Sequence, residues 1–216
     1  MLTRVSSTPT FKRLPRAIRE QQMLDAAVRV FSRRGFHAAS MDEIADDAGI
    51  SKPMVYAYLG TKEELFVACL HRETARMMEA IAGAAAPDLP ADQRLWRGLR
   101  AFFGFVGAHR DGWKVLYRQA RGSQPFAAEL AAMRARLVGV VAGMLDHALR
   151  AEGREVAETE LEVVAYALVG ASESLGDWLA DHPDAEPERT ATRMMNVAWL
   201  GAGQLLGGVT WRPPAN

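Results

Sequence analysis

The 216-residue sequence holds one cysteine, Cys69. A lone thiol excludes an intrachain disulfide framework, and a chain of this length can bury a core without one. Cys69 reads as a small buried apolar residue rather than a redox sensor. Runs of β-branched residues are short, alanine is abundant, and hydrophobic residues make up 49% of the chain. That balance favours an all-helical protein. No apolar run is long enough to span a bilayer, and the basic N-terminus lacks the apolar stretch of a signal peptide. The expectation is a soluble, cytoplasmic protein with no membrane partner. The five histidines are scattered without an H-E-x-x-H pattern, so no metal site is expected. Signatures of catalysis are missing as well. GASES at 170–174 falls one residue short of G-x-S-x-G and lies within a helical pattern. Gly201, Gly203 and Gly207 miss the dinucleotide spacing, with no strand before them. No catalytic residue and no cofactor is expected.

Net charge is also absent, which by itself argues against a nucleic-acid partner. Its distribution reverses that. Residues 1–62 carry 10 Lys/Arg against 6 Asp/Glu, and residues 63–216 carry 16 against 20. A basic N-terminal part on an acidic remainder is an electrostatic footprint for phosphate at one end.

What is present centres on residues 40–62, SMDEIADDAGISKPMVYAYLGTK. Ser40 to Glu43 has the S-x-x-E form of a capping box and starts a helix whose apolar stripe is Ile44, Ala45 and Ala48. Gly49 stops it, and Ile50 enters the core. Ser51 caps a second helix over 52–59, with Pro53 in its first turn. Gly60 ends that helix, and Thr61–Glu64 is a second capping box. Helix, Gly-containing turn, helix is the plan of a DNA-binding helix-turn-helix. On a helical wheel Val55 and Leu59 face the core. Pro53, Met54 and Ala57 lie opposite and offer apolar contacts suited to thymine methyls. Lys52 is the long donor able to reach guanine or phosphate, and Tyr56 and Tyr58 flank the face. Lys62 opens the next helix, where free N–H groups attract an anion, and Ser40 can present its N–H to a phosphate. Tyr56 as half-buried core and Lys62 as a solvated charge are the bland alternatives.

Residues 16–66 resemble the N-terminal domain of the tetracycline-repressor (TetR) family of transcription regulators. The matching pieces are AAVRVFSRRGF, the Ser40 box, IADDAGIS, VYAYL and TKEELF. Two positions depart from the family pattern: Met54 where a small hydroxyl residue is frequent, and Leu59 where Phe is usual. The resemblance implies an all-α protein of about nine helices, with a three-helix DNA-binding head at 16–62 and a ligand-binding and dimerisation part at 63–216. It implies that Lys62 clamps phosphate and that Tyr56 and Tyr58 reach phosphates; together with the wheel's outer face, the expected DNA-facing set is Ser40, Ser51, Lys52, Pro53, Met54, Tyr56, Ala57, Tyr58 and Lys62. The expected partners are a double-stranded DNA operator, a small-molecule inducer and a second copy of the chain. The expected function is a ligand-responsive repressor. An activating or architectural DNA-binding protein without an inducer is the alternative, and a helical carrier or enzyme is further off.

Residues 1–15 are polar and basic, broken by Pro9 and Pro15. They read either as a frayed tail or as an arm following DNA through Arg4, Lys12 and Arg13. Helix 1 is expected over 16–34, with Arg33 and Arg34 at its negative C-terminal end. Later helices are expected over 62–85, 92–109, 113–120, 126–150, 158–180 and 187–206. The resemblance implies an inducer cavity among the C-terminal helices. Its candidate lining is Phe103, His109, Trp113, Tyr117, Met133, Met144, His147, Tyr166 and Glu173, each of which could instead be ordinary core. Glu173 sits among apolar residues and needs a partner, either a cationic ligand or Arg118. The stripe Leu161, Ala165, Leu168, Ser172, Leu175 and Leu179, with Gly201, Ala202 and Leu205, is the expected dimer interface.

Overall fold

The computed structural model describes residues 15–86, 88–120, 126–151, 153–202 and 204. The regular structure among them is helical throughout, as expected. Nine α-helices follow in order: α1 Arg16–Ala38, α2 Met41–Ala48, α3 Lys52–Leu59, α4 Lys62–Ala84, α5 Ala91–Ala108, α6 Arg110–Trp113, α7 Phe126–Ala151, α8 Glu158–Asp181 and α9 Pro187–Val197. Two of them change pitch. α6 runs on as a π-helical segment, Lys114–Gln119, and α9 as another, Ala198–Ala202. Both were expected as plain α-helix. π-helical turns are rare and concentrate at functional sites. The expected arm lies outside the described residues except for Pro15, which stands at the N-cap of α1.

Local chemistry accounts for the helix ends. Gly35 breaks α1 with φ 75° and ψ 165°, after which residues 36–38 resume the helix. Gly49 takes the left-handed conformation that closes α2. The Thr61–Glu64 box is complete: Thr61 Oγ1 accepts from the Glu64 N–H at 3.2 Å, and the Thr61 N–H donates to Glu64 Oε2 at 2.8 Å. The Ser40 box is half formed. Ser40 Oγ accepts from the Glu43 N–H at 3.1 Å, but the Glu43 carboxylate turns to Arg34 Nε, also at 3.1 Å. Ser51 occupies the N-cap of α3 without a side-chain cap bond, so Pro53 and the extended Ser51 backbone alone start that helix.

Two cores hold the chain. The first joins Leu24, Phe31, Ile44, Val55, Leu65 and Leu70 to Val115, Ala120, Phe126 and Met133. Phe66 sits at its centre, with ring centroids 5.0 Å from Phe31, 5.2 Å from Phe36 and 4.4 Å from Phe126. Each such buried ring contributes roughly 1.5–3 kcal/mol. The boundary expected at 62/63 is therefore a helix start and not a break in packing, because the head's core includes residues from the π segment and α7. The second core lies among α4, α5, α6, α8 and α9, with Phe102, Phe103, Val106, Leu179 and Met194.

Polar contacts join the cores. Glu73 is buried beside Arg72 at 2.7 Å and Arg76 at 3.3 Å, and Arg72 also pairs with Asp25 of α1 at 2.8 Å. Gly112 of α6 presses on the same carboxylate: a Cβ there would lie 2.5 Å from Glu73 Oε2.

Candidate functional site

α2 and α3 form the helix-turn-helix, and α1 and α4 clamp it. Asp47 of α2 receives Arg29 Nη2 at 2.6 Å and Arg33 Nη2 at 3.2 Å. Burial pushes the Asp47 carboxyl up, but hydrogen bonds from Arg29 and Arg33 outweigh it and hold the group below its usual value. Arg33 and Arg34, expected at the end of the α1 dipole, thus hold α2 against α1.

On α3, Val55 is fully buried and Leu59 packs on the same core, as the wheel requires. Lys52, Pro53, Tyr56 and Ala57 are exposed together, with Met54 and Tyr58 half-buried beside them. The Arg16 guanidinium lies 5.1 Å from the Tyr58 ring centroid, and Arg19 Nη1 lies 3.8 Å from Met54 Sδ. These two arginines lie beside the α3 residues expected to face DNA and were not themselves expected there. Their pairing with α3 spans more than a turn-helix motif and leaves no local sequence signal.

Two expected DNA contacts are engaged within the chain. Lys52 Nζ donates to Asp42 Oδ2 at 2.8 Å, and that bond holds its ammonium above the usual value. Lys62 Nζ donates to the carbonyls of Ala39 at 3.1 Å and His37 at 3.3 Å, and stands 4.7 Å over the Phe36 ring. It closes the C-terminal end of α1. The lysine expected to clamp phosphate thus has its ammonium held by two carbonyls and a ring face of its own chain.

Three adjoining chambers with shared lining residues, each partly open to solvent, lie among the C-terminal helices. The inner chamber is bounded by Thr74, Trp113, Tyr117, Met133, Arg134 and Glu173, among others. The middle one shares Phe102, Leu137 and Glu173 with it and is otherwise almost wholly apolar. The outer cleft, about 620 Å³, shares Leu95, Val141, Met144 and Leu168 with the middle one and carries Arg94, His147 and Arg154 on its walls. Of the nine candidate lining residues, Trp113, Tyr117, Met133, Met144, His147 and Glu173 line these chambers.

Three do not. Phe103 is fully buried in the second core. His109 follows the end of α5, stacked on Phe105 at 4.5 Å and bonded through Nδ1 to the Phe105 carbonyl at 3.1 Å. Tyr166 is 42% exposed on the outer side of α8. Glu173 pairs with Arg134 at 3.0 Å, not with Arg118. Arg118 turns instead to Asp177 at 2.7 Å and to Asp181. Hydrogen bonds to both carboxylates, Asp181 first, raise its basicity further. Arg94, Arg134 and Thr74 were missed because arginines and threonines on amphipathic helices usually face solvent.

The expected dimer stripe is turned inward. Leu161, Ala165 and Leu179 are buried in the protomer's own core, Leu168 and Ser172 line the chambers, and Leu175 packs on the second core. Ala202 contributes no described side chain and Leu205 lies outside the described residues. Gly201 is exposed. Outward apolar residues of these helices include Val163, Tyr166 and Trp178 on α8 and Val197, Trp199 and Leu200 at the end of α9, of which Trp199 and Leu200 also line the outer cleft.

A helix-turn-helix head with an exposed α3, joined through a common core to a chambered helical body, defines a DNA-binding transcriptional regulator. The comparisons make this particular. Residues 23–69 match the family described as "Bacterial regulatory proteins, tetR family", and residues 91–201 match "Tetracyclin repressor-like, C-terminal domain". The chain belongs to the TetR family. It is 32% identical to the HTH-type transcriptional activator FasR of Mycolicibacterium smegmatis over 88% of its own length and 85% of that protein's. A TetR-like transcriptional regulator from Rhodococcus sp. RHA1 has 47% identity and a TM-score of 0.76, covering 88% of this chain and 99% of that one. FadR from Bacillus subtilis, solved in complex with stearoyl-CoA, shares the fold with a TM-score of 0.73 at 14% identity, over 82% of this chain and 96% of its own. The C-terminal part, whose sequence bears no nameable motif, is thus covered by a family match. No helix among the described residues is long and apolar enough to cross a membrane.

Proposed function

We propose that the protein is a homodimeric repressor of a palindromic operator, released by an elongated amphiphile: an acyl chain in the apolar chambers with an anionic head at the outer cleft. The succession of three chambers, apolar within and basic at the mouth, carries this reading. Arg94 and Arg154 on the walls of the outer cleft supply cationic groups suited to an anionic head. The stearoyl-CoA complex of the structurally similar FadR supports the same class.

A single helix-turn-helix makes too few contacts for operator-grade affinity, so two heads are required. The outward apolar side chains Val163, Trp178 and Val197 support an interface made by α8 and α9. Trp113 and Tyr117 stack at 5.1 Å on the inner chamber wall, and the same segment sends Val115 and Ala120 into the head's core. A ligand that displaces the two rings shifts α1 directly, and shifts the head further through α4, which starts at the Thr61 cap. The separation of the two α3 helices then ceases to match the operator. By linkage, DNA must weaken ligand binding by the factor that ligand weakens DNA binding.

The test is selection of bound DNA from random sequence, followed by operator titration with and without palmitoyl-CoA. Equal affinity in both conditions, despite ligand binding, overturns effector release. The name of FasR favours a second reading, activation. A reporter with the operator upstream or downstream of the promoter separates the two.

A further inference from the structure

The cations of the head are almost all engaged within the chain. Nine lysines and arginines lie between residues 15 and 76. Six pair with carboxylates: Arg29 and Arg33 with Asp47, Arg34 with Glu43, Lys52 with Asp42, and Arg72 and Arg76 with Glu73. Lys62 is held by its two carbonyls. Arg16 and Arg19 remain. Neither has a carboxylate or carbonyl partner among the described residues, and Glu20 beside them on α1 pairs with neither. Three positions apart, they share one face of α1. That face meets one flank of α3: Arg16 lies over the Tyr58 ring and Arg19 against Met54, one helical turn away. Lys52 and Asp42 mark the opposite flank. Pro53 and Ala57, exposed between the flanks, carry no side-chain donor. A helix lying in the major groove has a phosphate strand along each flank.

We propose that Arg16 and Arg19 hold the phosphate strand on the Tyr58 side of the groove, and that Met54 positions Arg19 for it. A guanidinium without an internal partner binds phosphate at full strength, whereas Lys52 and Lys62 must first give up the bonds they hold. Met54 stands where the family frequently has a small hydroxyl residue. A hydroxyl donates to a phosphate oxygen; a thioether cannot donate, and accepts only weakly. Arg19, resting on that sulfur, carries the donor that position 54 lacks. The family match to the head begins at residue 23, so neither arginine is part of it. The inference rests on the reading of α3 as the helix that enters the groove of an operator.

The test uses the full chain and the duplex it selects from random sequence, with affinity measured across a salt series. Arg16→Gln and Arg19→Gln should each make the slope of log affinity against log salt shallower by about one per head, and the double variant by about two per head. The preferred sequence should not change, because phosphate contacts carry no base information. Arg19→Lys should keep the wild-type slope. Arg97→Gln removes the same charge from α5, next to Gly98 at the far end of α4, and should also keep it. Met54→Leu conserves volume and removes the sulfur; in that background the fold-loss caused by Arg19→Gln should shrink by at least half. Equal losses in both backgrounds overturn the part given to Met54. Should the double variant fail to fold, the single variants decide. A wild-type slope in the Arg16 and Arg19 variants, with operator binding intact, overturns the proposal alone. Selection of no duplex by the wild-type chain overturns it together with the operator reading.

Discussion

Ser32 Oγ, on the first helix of the DNA-reading head, donates a 2.8 Å hydrogen bond to Asp111, two residues before the indole that lines the inner chamber. The two residues are 79 positions apart in sequence. The contact ties the wall of the inner chamber to the clamp on α2 without passing through α4.

That tie predicts a separable coupling variant. Ser32→Ala should leave folding and ligand affinity near wild type, since one such bond contributes about 0.5–1.5 kcal/mol. It should reduce the ligand-induced change in operator affinity by roughly 2- to 10-fold. Operator titrations with and without palmitoyl-CoA measure this. An unchanged ratio would leave the coupling to the shared core around Val115 and Ala120 and to α4.

Lys62→Met should destabilise the head and not the DNA contact. The ammonium bonds to His37 and Ala39 carbonyls and lies over Phe36, so its removal should cost about 1–3 kcal/mol in urea unfolding. The slope of log operator affinity against log salt should stay as in wild type. A slope shallower by about one would mean that Lys62 leaves those carbonyls for a phosphate.

The dimer is predicted to depend on the outward face. Val197→Glu should give monomers at micromolar concentration in sedimentation and abolish operator binding. Ser174→Glu, at an exposed but polar position of α8 closer to the chambers, should do less. A Val197→Glu dimer with wild-type dissociation would move the interface elsewhere.

Cys69 should be inert to iodoacetamide until the protein unfolds. Burial, the main cause, pushes its thiol up to about 12, against the weaker opposing effect of Arg72, and the S–H points to the Leu24 carbonyl at 3.9 Å. The thiol ionises more readily in the unfolded chain than in the folded one. Above about pH 8.5 the unfolded state therefore binds fewer protons, and the thiol's share of stability falls as pH rises towards 12. Alkylation at pH 8 in native buffer and in urea checks the first point. Urea midpoints from pH 8 to 10 for wild type and Cys69→Ala check the second, with the steeper fall expected in wild type.

The sequence by itself determined the head. Capping residues, Gly49, Gly60 and the spacing of Val55 and Leu59 act over three or four positions, so helix ends and the core-facing side of α3 follow from local sterics and hydrogen bonding. Tertiary structure decided the rest. α8 is apolar on several sides, and periodicity does not say which stripe meets the protomer's own core; burial assigned Leu161, Ala165 and Leu179 inward and left Val163 and Trp178 outside. Long cationic side chains reach several acceptors, and only the packed backbone chose Asp42 for Lys52, the α1 carbonyls for Lys62 and Glu173 for Arg134. These choices join residues that are distant along the chain, where the cost of closing the intervening loop is met by the whole core and not by any motif.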